Sequence, residues 1–335
     1  MYSSADQHRP TRRDYTGLAA GSILLVLLLL LGAAATARAG DGNWAVTGAF
    51  ADLEPGGRGT ALAGALAPLV DDPTAVHWNP ARLIAVRNRG LTATHADLFS
   101  LDLVHHAALF CAFPRGRHEV GWQEGRIQRR KGDVGSCFGF GLQATWVDLD
   151  PEPEAYAEYD LSLAYAARGW GGLAYGFAAH GLLVRSDLDG VGARGFSFDF
   201  ALSRSLRPCL EASLVLRSLF SSLSWDQSSQ DQLRPAAEAG LALRPHRTLA
   251  VPLTVSYDLE AAALYEAACG AEWRAIGRTL VLRGGLRWRD DGDEATLQSS
   301  AGAGLHWNEI GFDYGLAMGR EELGETHRLS LHVTF

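Results

Sequence analysis

Ionisable side chains recur at alternate positions within apolar stretches, and they are the residues of this chain best placed to do chemistry. Because neighbouring side chains of a strand point to opposite faces, these charges would share one wet face. They could line an ion pathway or contact a polar ligand. Pairing across strands, which stiffens a wall, is the favoured interpretation, because every water-filled barrel needs such groups. The residues concerned are Asp160, Asp199, Glu211, Arg217, Asp258, Glu266, Glu272, Arg283, Arg287 and Asp313.

The patterns expected of an enzyme or a metal site are missing from the sequence. The serine-rich stretch 221–229 contains no G-x-S-x-G motif, and the isolated histidines form no nucleophile–base set with it. The cysteines are far apart, without C-x-x-C spacing or a histidine at ligand spacing: Cys111, Cys137, Cys209 and Cys269. Free thiols are the favoured interpretation, and disulfide pairing among the four cysteines is the alternative. We predict no enzyme activity, no catalytic residues, no metal and no cofactor.

Charge and composition exclude another class of function. The net charge is −8, and Lys131 is the only lysine among 30 basic residues. No basic tail or basic-aromatic cluster is present, so nucleic acid is excluded as a partner.

The elements that must position these charges are strands with a period of two. Phe196, Phe198 and Phe200, for example, alternate with Ser197 and Asp199. Between about 89 and 335 the pattern predicts about fourteen strands of roughly 10 residues, long enough to cross a bilayer. Aromatic residues near strand ends are typical of membrane girdles. A soluble sandwich is the alternative, but it would need no girdle.

The connections between these strands alternate between short and long. A membrane barrel with both termini in the periplasm shows this alternation, with short turns inside and long loops outside. Long loops are predicted at 149–157, 186–194, 220–232, 290–295 and 319–326. The charged stretch 114–134 falls where a short turn is due. It is either a miscounted strand or a periplasmic projection.

The last strand of the chain carries its apolar residues on one face. Its polar residues, among them Arg328 and Ser330, occupy the other face. It resembles the terminal strand by which bacterial outer-membrane barrels are recognised for assembly, although an edge strand of a soluble sandwich alternates in the same way. The predicted assembly signal is Leu329, Leu331, Val333 and Phe335.

The N-terminus is predicted to be a secretory signal peptide, residues 1–39. Basic residues precede an apolar core from Ile23 to Leu31, and Ala37-Arg38-Ala39 is a small-x-small cleavage site. The mature chain would then begin near Gly40. An uncleaved anchor helix is the alternative.

Two motifs after this signal resemble the start of the FadL/PorV superfamily of outer-membrane barrels. The first is a glycine-rich G-x-R pattern, and the second is an acidic pair followed by Asn-Pro-Ala. The residues that carry this resemblance are Gly57, Arg58, Gly64, Asp71, Asp72, Asn79, Pro80 and Ala81. The chain departs from the pattern at Ala63-Gly64-Ala65, where two glycines are usual, and at Arg82, where glycine is usual. The stretch from Gly324 to Leu331 also resembles PorV/PorQ-type proteins.

The resemblance implies an all-β, about fourteen-stranded antiparallel transmembrane β-barrel with an N-terminal plug segment inside the lumen. The plug or hatch would span residues 40–88 and the barrel residues 89–335. An ordinary buried lining segment without a gating role is the alternative for 40–88. The implied location is the cell outer membrane.

The function implied is binding or passage of small hydrophobic, lipid-like molecules. A PorV-like component of type IX secretion that handles exported proteins is the alternative, and a structural barrel without transport is a third. The expected partners are outer-membrane lipid, the barrel-assembly machinery, a hydrophobic ligand and, under the alternative, secretion-system proteins.

Overall fold

The structure is a computed structural model that describes most of the chain after residue 52. It covers residues 53–100, 103–123, 126–149, 152–186, 192–226, 230–277, 279–290, 292, 295–319 and 324–335, with the backbone alone at 117–133 and 148–155 outside the gaps. The predicted signal peptide and residues 40–52 of the predicted plug lie outside the described residues.

The described residues form one antiparallel sheet of fourteen long strands and one two-residue strand. The strands are β1 (Gly90–Leu98), β2 (Val104–Gln123), β3 (Arg126–Leu149), β4 (Glu152–Arg168), β5 (Ala174–Ser186), β6 (Ala193–Arg207), β7 (Leu210–Trp225), β8 (Gln230–Asp231), β9 (Ala236–His246), β10 (Leu249–Asp258), β11 (Ala263–Ile276), β12 (Leu280–Asp290), β13 (Ala295–Trp307), β14 (Ile310–Ala317) and β15 (Thr326–Thr334).

The sheet closes on itself, so the predicted barrel is confirmed. Each long strand pairs with its neighbours in sequence, and β1 pairs with β15 in a ladder that joins Gly90 to Thr334. The short β8 pairs only with the end of β7. Closure leaves no free sheet edge among the long strands, which is what a sheet in a bilayer requires.

The two faces of the wall differ as the alternation predicts. Large apolar side chains point outward and are exposed, for example Leu163 at 60% and Phe312 at 57%. Polar side chains such as Asp160 and Ser330 point inward and are buried. A continuous apolar outer surface of this kind fits hydrocarbon. No helix among the described residues has the length and apolarity needed to cross a membrane.

The two ends of the barrel carry different connections. We call the end that holds the β1 N-terminus the short-turn end, and the opposite end the loop end. The short-turn end holds the connections 169–173, 208–209, 247–248, 277–279 and 308–309.

The structure decides between the two alternatives for one stretch of the sequence and corrects the prediction for two others. The stretch 114–134 hides no further strand: β2 and β3 stay paired as far as Gln123 and Arg126, so it is a hairpin that projects at the short-turn end. The bounds of two expected long loops are wrong: the connection expected at 149–157 is short, because β4 begins at Glu152, and the one expected at 220–232 begins later, because β7 continues to Trp225. Backbone pairing with a neighbouring strand continues through these polar stretches, and local composition does not reveal that.

Residues 53–88, here called the inner segment, lie inside the barrel. Its short helices are α1 (Gly57–Ala61), α2 (Ala75–Trp78) and the 3-10 helix η1 (Pro80–Ala85). The helix α1 packs against β12 to β15, and η1 packs against β2 to β6. The segment therefore bridges opposite sides of the wall. Its apolar residues, such as Leu62 and Val76, form one buried cluster with inward residues of the wall, such as Phe110.

Candidate functional site

The lumen holds most of the residues singled out from the sequence, and Arg58 is at the centre of the first group. Its Nη1 donates to Asp71 Oδ1 at 2.6 Å and to Asp72 Oδ2 at 3.2 Å. Its Nε donates to Glu272 Oε2 on β11 at 2.9 Å. The motif thus brings Arg58, Asp71 and Asp72 together and ties them to the wall. A planar guanidinium suits this task because its donors form a rigid fork.

The charge network extends from Arg58 along the wall. Arg283 donates from Nε to the same Oε2 of Glu272 at 2.9 Å and from Nη1 to Asp313 Oδ1 at 2.6 Å. The side chains of Arg283 and Asp313 are almost completely buried. Paired charges of this kind satisfy each other, whereas one charge left alone would be expensive to bury.

The ionisation of Asp71 follows from this arrangement. Desolvation raises the pKa of Asp71, but the attraction of Arg58, with smaller contributions from Arg82 and Arg274, outweighs it and lowers this pKa to about 2. The carboxylate therefore stays ionised throughout the physiological pH range, and the pair with Arg58 is not a pH switch.

The second motif shapes the turn into η1. Asn79 Oδ1 accepts from the Ala81 N–H at 3.1 Å, and Asn79 Nδ2 donates to the Ala67 carbonyl at 3.0 Å. Pro80 occupies the first turn of η1, where a missing N–H costs nothing. Arg82, the departure from the family pattern, donates from Nε to the Val70 carbonyl at 2.9 Å and pairs with Glu211 of β7. Arg82 therefore anchors the inner segment to the wall, which a glycine at this position could not do.

Inward arginines of the wall bind the backbone of the inner segment. Arg217 donates to the carbonyls of His77 and Trp78 at 2.9 and 3.0 Å. Arg287 Nε donates to the Ala63 carbonyl at 2.9 Å. The favoured interpretation, structural pairing, describes these charges correctly. Their bonds to inner-segment carbonyls were not foreseen, because strand alternation carries no information about what fills the lumen.

Glycines of the wall lie where the inner segment comes closest. A Cβ on Gly315 would lie 2.2 Å from the Gly57 carbonyl oxygen, and one on Gly57 would lie 2.7 Å from the Asp313 carbonyl oxygen. The backbones touch at these positions, so no side chain can be accommodated. Gly64 instead has a positive φ of 84°, which favours glycine for conformational reasons.

Gly176 gives a direct test of this close packing. A Cβ there would lie 2.2 Å from the Ala81 nitrogen, so Gly176→Val is expected to destabilise the barrel by about 1–3 kcal/mol, as overpacking does. Gly181→Val, on the same strand β5, is the matched control, since a Cβ there would lie 3.9 Å from its nearest neighbour, the Leu161 carbonyl oxygen of β4. The temperature at which the folded band disappears on a semi-native SDS gel is the measurement. Equal temperatures for the two variants would contradict the packing.

The inward face of β4 to β7 becomes apolar towards the loop end. On β5, the inward His180 is followed by the inward Leu182 and Val184, both buried. We call the resulting group the loop-end cluster. It consists of Leu182, Val184, Ala193, Leu223 and Leu233, with Tyr156 and Trp225 packed against it.

A polar layer lies beneath the loop-end cluster. His180 contacts Asp160 Oδ2 at 3.1 Å and Asp199 Oδ2 at 3.5 Å. The backbone N–H of Ser218, in a β7 bulge with φ of 50°, donates to Asp199 Oδ1 at 2.8 Å. The loop-end cluster is therefore a group of packed apolar side chains above a layer of charged ones. Sequence reasoning did not place Leu223 in this cluster, because the serines around it suggested an exposed loop.

The predicted assembly row faces outward. Leu329 is 60% exposed and Phe335 is 68% exposed, whereas Arg328 and Ser330 of the same strand are buried. The four cysteines are unpaired. Among the residues that the structure describes, no group of three or more histidine, cysteine, aspartate or glutamate side chains is arranged to hold a metal.

Comparison with known proteins places the fold. No protein-family model and no curated protein matches the chain. The solved structure "CymD monoaromatic hydrocarbon channel" is similar over 84% of this chain and 97% of its own length, with 14% identity and a TM-score of 0.59. The toluene transporter TbuX of Ralstonia pickettii is similar over 85% of this chain and 99% of its own length, with 12% identity and a TM-score of 0.52.

A FadL homologue of Pseudomonas aeruginosa is also similar, covering 84% of this chain and 98% of its own, with 10% identity and a TM-score of 0.54. The chain has the FadL-type barrel fold. At these identities the likeness concerns the fold alone, and the finer PorV/PorQ assignment does not follow from it. A closed barrel with an apolar outer surface is the form in which a sheet crosses a membrane.

Proposed function

We propose that this FadL-type barrel binds small hydrophobic molecules and passes them across the outer membrane. The observation that supports this most directly is the loop-end cluster. A water-filled pore would carry polar side chains on its inner wall. Here Leu182, Val184 and Leu223 face inward and are buried against one another. Apolar pockets with few polar groups are the usual form of a small-molecule site. The solved structures named as hydrocarbon channels agree with this proposal.

In this proposal the inner segment acts as a plug or hatch. Its tight packing on wall glycines and its ion pairs through Arg58 and Arg82 support a closed resting state. Passage would then require part of the segment to move. The eight motif residues, from Gly57 to Ala81, would hold the closed position rather than contact the transported molecule.

Uptake by cells tests the proposed function. A strain without its own hydrocarbon or fatty-acid channels would produce the protein and receive radiolabelled toluene or a medium-chain fatty acid. Uptake is expected to exceed that of the empty strain. It should return to background when Leu182 and Leu223 are both replaced by aspartate, because desolvating buried carboxylates opposes apolar binding.

The double methionine variant at Leu182 and Leu223 is the control, because it keeps the apolar volume. Uptake by the aspartate variant equal to that of the methionine variant, with equal amounts of folded protein, would reject the loop-end cluster as the binding site. No uptake by the parent chain with either compound would reject transport.

The resemblance of Gly324 to Leu331 to PorV/PorQ-type proteins favours a second candidate, a component of type IX secretion. Deleting the gene in its own host distinguishes the two. Loss of secreted proteins with unchanged hydrocarbon uptake would support secretion and contradict transport.

We further propose that the outward row of β15 is the assembly signal. Phe335→Ala is expected to reduce the amount of folded barrel in the outer membrane several-fold. Leu305→Ala is the control, because Leu305 is a comparably exposed outward residue, at 57%, on β13. Equal losses in the two variants, measured in isolated outer membranes, would mean that apolar surface alone matters.

A further inference from the structure

A deep arginine-rich cavity opens at the short-turn end of the barrel. Its volume is about 890 Å³, and it lies below η1 between the turns of β4 to β9. Two acidic side chains, those of Asp71 and Glu211, line it, together with the C-terminal residue Phe335. Its six arginines are Arg82, Arg87, Arg89, Arg168, Arg204 and Arg244. We call this cavity the arginine mouth.

Among the residues that the structure describes, the positive charge of the arginine mouth is only partly neutralised. Glu211 pairs with Arg82 and, at 3.3 Å, with Arg244, while Asp71 pairs with Arg58. The other four arginines have no carboxylate partner among the residues that the structure describes: Arg87, Arg89, Arg168 and Arg204. The chain as a whole carries a net charge of −8, so this local excess of positive charge runs against its composition.

The projecting β2–β3 hairpin starts from the rim of the arginine mouth. Pro114, Gly116 and Val134 line the cavity, and the paired strands extend beyond them as far as Gln123 and Arg126. Between positions 115 and 134 the sequence contains six arginine or lysine residues and three acidic ones. The hairpin backbone that starts at the cavity rim therefore carries a sequence with more basic than acidic residues.

We propose that the arginine mouth and the β2–β3 hairpin form a docking surface for an acidic segment of a soluble protein on the short-turn side of the membrane. The four guanidiniums without a carboxylate partner come from three separate parts of the chain: the connection between η1 and β1, the end of β4, and β6. An acidic chain offers a separate carboxylate to each of several guanidiniums, whereas a single small ion offers one charged group. Arginine binds carboxylates with two parallel hydrogen bonds, and a basic cavity speeds the approach of an acidic partner.

A fluorescent peptide rich in glutamate and aspartate, added to the full chain in detergent, tests this surface by fluorescence anisotropy. Binding is expected, and it should weaken as salt is raised from low to physiological concentration, because screening acts on exposed charges. Replacing Arg87, Arg89, Arg168 and Arg204 together by glutamine should weaken binding by about tenfold or more. A second variant, Arg129→Gln with Arg130→Gln, tests the hairpin and leaves the cavity intact.

The control variant carries Arg185→Gln and Arg194→Gln, which are exposed arginines at the loop end. It should bind the peptide as the parent chain does. Equal weakening in this control, or no peptide binding by the parent chain, would overturn the proposal. Complete displacement of the peptide by millimolar inorganic phosphate would also overturn it, in favour of a simple ion site.

Two further readouts separate this inference from the proposed transport. Semi-native gels show whether the quadruple variant folds, and the hairpin variant keeps the test valid if it does not. Toluene uptake should be unchanged in the hairpin variant, since the hairpin lies outside the lumen. Loss of peptide binding with normal uptake supports the docking surface independently of transport.

Discussion

Arg58→Met is expected to lower the free energy of unfolding by about 3–5 kcal/mol, the range typical of a buried ion pair that loses one partner. Arg58 is 9% exposed and Glu272 is 4% exposed. Methionine fills much of the same space but leaves Glu272 with Arg283 alone and leaves Asp71 and Asp72 without their shared partner. The inner segment should therefore detach at α1 and let ions through the lumen.

Two measurements test the Arg58→Met variant. Its folded band on a semi-native SDS gel should be lost at a lower temperature than that of the parent chain, and its conductance in a planar bilayer should rise. Arg185→Met is the matched control, because Arg185 is exposed at the loop end and lies outside this network. Arg58→Lys should be intermediate, since lysine keeps the charge but not the fork. A stable and sealed Arg58→Met barrel would show that Arg58 does not hold the segment.

Cross-linking the inner segment to the wall is expected to reduce hydrocarbon uptake by about an order of magnitude, if uptake requires the segment to move. A Cβ on Gly270 would lie 3.2 Å from the Leu62 Cβ. Disulfides have Cβ–Cβ distances of about 3.5–4.5 Å, so a pair of cysteines at these positions needs only a small shift. The variant Leu62→Cys with Gly270→Cys would be made in a chain whose four native cysteines are replaced.

Reduction supplies the control for this variant within one sample. Uptake should return when a reductant opens the disulfide, and Leu62→Cys alone should be insensitive to oxidant. Full uptake with the disulfide closed would contradict a hatch that moves at Leu62. It would leave residues 53–88 as a lining of the lumen, with passage along another route.

The fold could be predicted from the sequence because its signal is local. The period of two decides which side chains of each strand face lipid, and the number of such strands suggests a barrel. Each inference uses only neighbouring residues, for which geometry alone decides the facing side. The positions of Leu329 and Ser330 on opposite faces of β15 follow in this way.

The motif residues were singled out in the sequence through a family resemblance rather than through chemistry. What each of them contacts was not foreseen. Arg58 meets Glu272, which is 214 positions away, and the Ala81 backbone meets the wall at Gly176. These distances along the chain are bridged only when the sheet closes around the inner segment.

The loop-end cluster is where the local signal failed. Leu223 lies between serines, so its stretch resembled an exposed loop, yet its side chain is completely buried. Pairing with β6 carries β7 past the bulge at Ser218 and places Leu223 beside Leu182 and Val184. The strands and their faces were therefore set by local alternation. Closure of the barrel decided which inward residues share a compartment, because that depends on strand register and on the segment that fills the lumen.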